Sequence, residues 1–346
     1  MSGHAYYSEA VHGKHDYYEL GNFALISGQT LPGAKLAYKT LGKLNAAKDN
    51  AIVLPHMYSG TSAFMEAFIG EDRPLDPKKY FFILPGQFGN GMSSSPHSQP
   101  APWNQAAFPM VHIGDDVIAQ HKLVTGHFGI KKLRLVSGWS MGGQQTYDWA
   151  VRFPDMVAAI AVFAACAKTP AHNQIFGDLF MAILESDPTW NGGFYHGPHA
   201  MHAAMRTKAR AFALMGTAPE AWRQEAWRTL GFASAEDFKR GFVEGYFLPM
   251  DANNLICQAK KWRASDVSLQ AHGDLAKALA RIKAKAVICA FKDDAFFPPQ
   301  DIEADAKLIP GAVYKVLGSV WGHFSMFCLS QADKDEIDAA YKAALA

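Results

Sequence analysis

Leu133-Arg134-Leu135-Val136-Ser137-Gly138-Trp139-Ser140-Met141-Gly142-Gly143 is a short apolar run that stops at a serine fenced by glycines. Beyond it, Gln144, Gln145, Tyr147, Trp149, Ala150 and Val151 continue without a helix breaker until Pro154. The pattern predicts a strand that turns into a helix within a few residues, a nucleophile elbow. Such a turn strains the serine backbone and leaves no room for side chains at Gly138 and Gly142. It also lifts the Ser140 hydroxyl clear of the sheet at the helix N-terminus, where the Met141 amide can bind a developing oxyanion. Serine hydrolysis or acyl transfer is the chemistry expected there. A bare G-x-S-x-G is a weak signal, so the rest of the chain has to decide.

Working outward, Tyr18 to Ile26 and Ala34 to Leu41 read as a leading hairpin. Ala51 to Pro55 and Tyr80 to Leu84 are brief, continuously apolar runs, the pattern of strands buried on both faces of a parallel sheet. Helical periodicity covers Asp115 to Phe128, with Val117, Ile118, His121, Leu123 and Val124 facing inward, and Val157 to Ala164 reads as a strand after the elbow helix. From residue 168 to 265 the character changes to helix-like segments rich in Met, Phe and Trp. Strands resume at Ala286 to Phe291 and Val313 to Leu317. Alternating strands and helices predict an α/β fold. Its core spans residues 1–167 and 266–346, and residues 168–265 form an inserted helical cap over the carboxyl ends of the strands.

The 346 residues are 49% hydrophobic and 19% charged, with a formal net charge of +1. Mean hydropathy is −0.08. No basic field points to nucleic acid, and the neutral balance favours a small-molecule substrate. The 4 cysteines, Cys166, Cys257, Cys289 and Cys328, form no metal-ligand pattern. Neither a metal nor a cofactor is expected. No apolar run is long enough to span a bilayer, and no secretory signal is evident over Met1 to Tyr17, so the expected location is cytoplasmic.

A serine nucleophile needs a base, and the base needs a carboxylate to hold its tautomer. After the strand ending at Phe291 stands the pair Asp293-Asp294, of which Asp294 has the D-x-x-x-P spacing to Pro298. After the last strand comes Gly318-Ser319-Val320-Trp321-Gly322-His323-Phe324. The chain has 14 histidines, and His323 is distinguished by lying late, past the final strand and after the acid. His56, the chief rival, comes too early and is expected to pack or hydrogen-bond beneath its loop. That loop, Leu54-Pro55-His56-Met57-Tyr58-Ser59-Gly60, should give the second oxyanion amide, at Tyr58 first and Met57 second.

With these residues in place, the chain resembles the homoserine O-acetyltransferase group of α/β-hydrolases from about Leu36 to Phe327. The group's H-A-L-T-G is similar to His56-Met57-Tyr58-Ser59-Gly60, and its G-G-S-M-G-G-M-Q to Ser137 through Gln145. Its D-A-N-x-Y-L resembles Asp251 to Ile256, its S-D-W-L-F-P-P resembles Asp293 to Pro299, and its terminal G-H-D-A-F-L resembles Gly322 to Phe327. The resemblance implies an α/β-hydrolase fold, Ser140 as nucleophile, Asp294 as acid, His323 as base, and oxyanion amides at Tyr58 and Met141. A homodimer is also a family-level expectation.

Two departures bear on the substrate. The group's arginine in R-Q-A-I, which holds the amino acid's carboxylate, aligns with Phe180, and its aspartate after the catalytic histidine aligns with Phe324. A homoserine carboxylate and ammonium buried without partners would cost several kcal/mol. An apolar pocket suits a small neutral ester, which places the chain nearest the group's hydrolase branch, acting on simple acetate esters such as ethyl acetate. Trp139 and Phe180 are the expected pocket aromatics, with Phe324 beside the base. The alternatives are an acetyl-CoA-dependent O-acetyltransferase and, from a different class, a noncatalytic ligand-binding protein on the same fold.

Overall fold

In the computed structural model, which describes residues 4–197 and 200–346, eight strands form one sheet. They are β1 (Asp16–Ala24), β2 (Thr30–Leu41), β3 (Ala51–Val53), β4 (Phe81–Pro85), β5 (Leu135–Trp139), β6 (Ala159–Phe163), β7 (Lys285–Phe291) and β8 (Val313–Leu317). The order is β1-β2-β4-β3-β5-β6-β7-β8. β1 and β2 pair antiparallel from Asp16↔Tyr38 to Ala24↔Thr30, the hairpin expected. β2 joins β4 antiparallel, and every pairing from β4 to β8 is parallel. This is the α/β-hydrolase fold, a mostly parallel sheet flanked by helices.

Alternation along the central strands sorts side chains onto two cores. Val53, Ile83, Val136, Ile160 and Val162 face one cluster, covered by α1 (Ile113–Lys122) and α2 (Met141–Arg152). Ile52, Phe82, Leu135, Phe163 and Phe291 face the other with Ile337, Ala340 and Tyr341. The predicted helix over Asp115 to Phe128 begins two residues earlier and ends as α1 at Lys122. One π-helical turn, Leu123–His127, completes it.

Between β6 and β7 run three long helices, α3 (Ala171–Glu185), α4 (His202–Gly216) and α5 (Ala252–Arg263). The two ends of this stretch lie side by side. Lys168 and Asp266 form an antiparallel bridge and an ion pair of 2.9 Å, and Thr169 N donates to Ser265 O at 2.9 Å. Two further helices, α6 (Pro299–Lys307) and α7 (Gln331–Leu345), follow β7 and β8. The connections leaving β3, β5, β7 and β8 at their carboxyl ends carry every residue singled out above as nucleophile, acid, base or oxyanion donor.

Candidate active site

Ser140 stands between β5 and α2 with φ 51° and ψ −121°. A non-glycine residue there is strained by about 1–3 kcal/mol and persists because its surroundings impose it. Those surroundings are close-packed backbone. A Cβ on Gly138 would come within 2.3 Å of Gly142 C and O, and one on Gly142 within 2.3 Å of Pro55 O. The missing side chains thus let the strand, the helix start and the β3 loop converge. Ser140 N donates to Phe163 O on β6 and Ser140 O accepts from Gln144 N, which fixes the turn at both ends.

The expected acid and base follow the strand ends. His323 lies in a 3₁₀ turn, Gly322–Phe327, just past β8. Its Nδ1 is 2.8 Å from Asp294 Oδ2, with both side chains buried. The other carboxylate oxygen, Asp294 Oδ1, accepts from the backbone N–H groups of Phe296 at 2.8 Å and Phe297 at 3.0 Å. Three donors therefore hold the carboxylate, and the imidazole is left with Nε2 for proton exchange. Asp293, the other member of the pair, is exposed. The rings of Phe296 and Phe297 pack against His323 with centroids 4.9 and 5.9 Å away, covering one side of the imidazole.

The β3 loop is braced from behind. Met57 O lies 2.9 Å from His56 Nδ1 and accepts from Gln87 Nε2 at 3.3 Å. A trans peptide points its N–H opposite to its C=O, so the Tyr58 amide faces away from His56 and Gln87. A buried polar relay reinforces this: Trp149 Nε1 donates to Gln120, Gln120 to Gln145, and Gln145 Nε2 to His56 O. Asn90 Nδ2 holds Tyr58 O at 3.1 Å. At the elbow, Met141 begins α2, so its N–H has no intrahelical acceptor. Burial pushes the His56 imidazole down to about 3, so it is a neutral hydrogen-bonding strut at neutral pH.

Ser140 and His323 open on one small cavity, lined also by Met57, Tyr58, Ser59, Phe212, Trp262, Phe296, Met326 and Phe327. The three aromatics expected on the substrate side are absent from this lining. Trp139 points to the opposite face of the sheet, because side chains alternate along β5. It is stacked among Phe68, Phe163 and Phe291 at 4.9, 4.5 and 5.4 Å. Phe180 on α3 is one layer back, behind Phe212 and Trp262. Phe324 packs on Gly216, where a Cβ would come within 2.2 Å of its ring, and against Phe212, Phe242 and Phe327. The walls are instead Phe212 from α4, Trp262 from α5 and Phe296 from the acid loop.

One buried lysine escapes the sequence reading. Lys208 on α4 is fully buried, and its Nζ has no hydrogen-bond partner. The signal was its register: it shares the apolar stripe of Met205, Ala209, Phe212, Ala213 and Gly216, where a lysine is out of place. Among the described residues no cluster of His, Cys, Asp or Glu is arranged as metal ligands.

The alpha/beta hydrolase fold family model matches residues 50–327. The chain is 43% identical over 336 residues to the ethyl acetate hydrolase of Pseudomonas veronii, covering 97% of this chain and 96% of that protein. An acetylester hydrolase from Corynebacterium glutamicum, known from its crystal structure, is 40% identical with a TM-score of 0.98 over 100% of this chain and 99% of that one. Homoserine O-acetyltransferases are more distant. That of Leptospira meyeri is 29% identical over 346 residues, covering 91% of this chain and 90% of that protein.

Proposed function

This chain belongs to the alpha/beta hydrolase fold family, and we propose that within it the protein hydrolyses short-chain acyl esters, acetate esters foremost, through an acyl-serine intermediate. It is a carboxylic-ester hydrolase. Ser140 attacks the ester carbonyl while His323 takes its proton and Asp294 stabilises the imidazolium. The amides of Tyr58 and Met141 hold the tetrahedral oxyanion. The alcohol leaves with the proton from His323, and a water deprotonated by the same imidazole then releases acetate and frees Ser140.

The observation that carries this reading is the shared apolar cavity, onto which the strained Ser140 and the Asp294-held His323 both open. Its lining holds no Asp, Glu, Lys or Arg side chain, which fits a small neutral ester. The names carried by relatives at about 40% identity support the same substrate class. Initial rates on p-nitrophenyl acetate, butyrate and octanoate and on ethyl acetate, with and without acetyl-CoA and homoserine, test it. The expected kcat/KM falls by about 10-fold or more from acetate to octanoate, as apolar pockets discriminate by chain length. CoA release that depends on homoserine and outpaces hydrolysis would refute it.

Residues 168–265 act in this proposal as a cap that closes the cavity, since Phe212 and Trp262 reach the cavity from there. A cytoplasmic homodimer is the proposed setting. Ile175 and Leu179, one turn apart on α3 and 66% and 45% exposed, support a partner on that helix. Sedimentation velocity should give a dimer mass, and a monomer at micromolar concentration would remove the dimer from the proposal.

A further inference from the structure

Lys208 carries the only lysine or arginine nitrogen, among the described residues, that is buried without a hydrogen-bond acceptor. Its Nζ sits among four rings, with centroids at 3.3 Å for Phe247, 4.7 Å for Phe212, 4.8 Å for Tyr58 and 5.2 Å for Phe180. Ring faces offset part of the cost of a buried cation, and an uncharged side chain of the same length would avoid that cost altogether. A local rule broken this completely, beside a reactive cavity, points to function. Two of the four rings, Tyr58 and Phe212, line the cavity that holds Ser140 and His323.

Tyr58 is the link. Its hydroxyl donates to Leu255 O on α5 at 2.8 Å, its carbonyl accepts from Asn90, and its ring stacks on Phe212 at 6.1 Å. Lys208 lies over the ring of the same residue whose backbone supplies the proposed oxyanion amide. We propose that Lys208 is a positioning residue for ester hydrolysis, its ammonium fixing the Tyr58 ring and adding positive potential near the residue whose amide binds the oxyanion. This rests on the reading of Ser140 as nucleophile. The ester is neutral and the tetrahedral intermediate is negative, so a cation in a low-dielectric setting favours the second over the first and acts on kcat rather than KM.

The groups around Lys208 leave its charge unneutralised. Phe180 from α3, Phe247 from the turn at 245–247 and Phe212 from its own helix carry no charge, and Tyr58 from the β3 loop is held neutral by burial. Glu244, at the end of the π-helical segment Lys239–Glu244 packed against α4, is committed to Arg206 and Arg210. Burial pushes the Lys208 amine well below its usual range, and a developing oxyanion draws it back up. Activity that needs the ammonium is present below its pKa and lost above it.

The test is Lys208→Met and Lys208→Arg in the full-length protein, read by kcat, KM, thermal melting and the alkaline limb of kcat. Methionine should lower kcat about 10- to 100-fold, less than removal of a direct oxyanion donor, with KM within about 2-fold. It should also raise the melting temperature and abolish the alkaline limb expected of the wild type. Arginine, which keeps the charge, should restore most of kcat. Unchanged turnover in Lys208→Met, or equal losses in both variants with lowered melting temperatures, overturns the proposal. If Lys208→Met does not fold, Lys208→Gln is judged by the same readouts. Fluorophosphonate labelling of Ser140 separates the two readings. No labelling of the wild type brings down the nucleophile and this proposal with it, whereas intact labelling with unchanged turnover brings down this proposal alone.

Discussion

Ser140→Ala should lower kcat for p-nitrophenyl acetate by roughly 10⁴- to 10⁶-fold and abolish fluorophosphonate labelling, with little change in melting temperature. The size of the loss follows from the division of labour proposed for the site. Removing the hydroxyl leaves His323 with no proton to take, and only binding and the oxyanion amides remain. Stability should hardly move. The Ser140 side chain makes no capping hydrogen bond, and the turn is fixed by backbone contacts that alanine keeps. Asp294→Asn should cost about 10⁴-fold for a different reason. An amide can still accept from Phe296 and Phe297, but it would present an N–H to His323 Nδ1 or favour the wrong tautomer. A Ser140→Ala protein retaining a hundredth of wild-type turnover would place the nucleophile elsewhere.

The parts of the site legible in the sequence were those that geometry forces onto particular residue types. The elbow needs Gly138 and Gly142 because Gly142 C and O and Pro55 O occupy the Cβ positions. A carboxylate and an imidazole leave a trace at strand ends, so His323 could be placed by its order in the chain and Asp294, beside Asp293, by order together with its spacing to Pro298. The walls of the cavity could not. Phe212 and Trp262 come from helices far from the elbow in sequence, and which aromatic reaches Ser140 depends on how α4 and α5 dock. Phe180 is aromatic and buried like Phe212, yet it sits one layer back. Trp139, adjacent to Ser140 in sequence, is on the far side of the sheet because neighbours on a strand point apart. Lys208 was visible as a charge in an apolar stripe, but the rings that enclose it come from α3, the 245–247 turn and the β3 loop.

Long-range pairing also hid the contact on which the placement of α5 depends. Lys261 Nζ lies 2.6 Å from Asp116 Oδ2, across a separation of 145 residues, with both side chains wholly buried. The pair clamps the β4 loop: Phe88 N donates to Asp116 Oδ1 at 2.7 Å, and Phe88 O accepts from Lys261 at 2.8 Å. Lys261→Met should therefore destabilise the fold by about 3–5 kcal/mol, the cost of leaving one member of a buried ion pair alone. Because Trp262 is the next residue along α5, the same change should disturb the cavity wall and raise KM. Asp116→Asn combined with Lys261→Met should recover much of the loss. Asparagine still accepts from Phe88 N, and Phe88 O keeps a donor in Gln258 Nε2 at 2.9 Å. The deficit should also depend on pH. Burial pushes Asp116 up to about 6 even against the pull of Lys261, whereas an unfolded aspartate titrates near 3.8. The native state thus holds an extra proton between those values, and its stability falls as pH rises through them. Without the ammonium the native pKa climbs further, so the Lys261→Met deficit should be larger at pH 8 than at pH 5.5. Urea unfolding at the two pH values measures this. A double variant no more stable than Lys261→Met, or a deficit indifferent to pH, would mean that the pair does not carry the charge coupling its geometry describes.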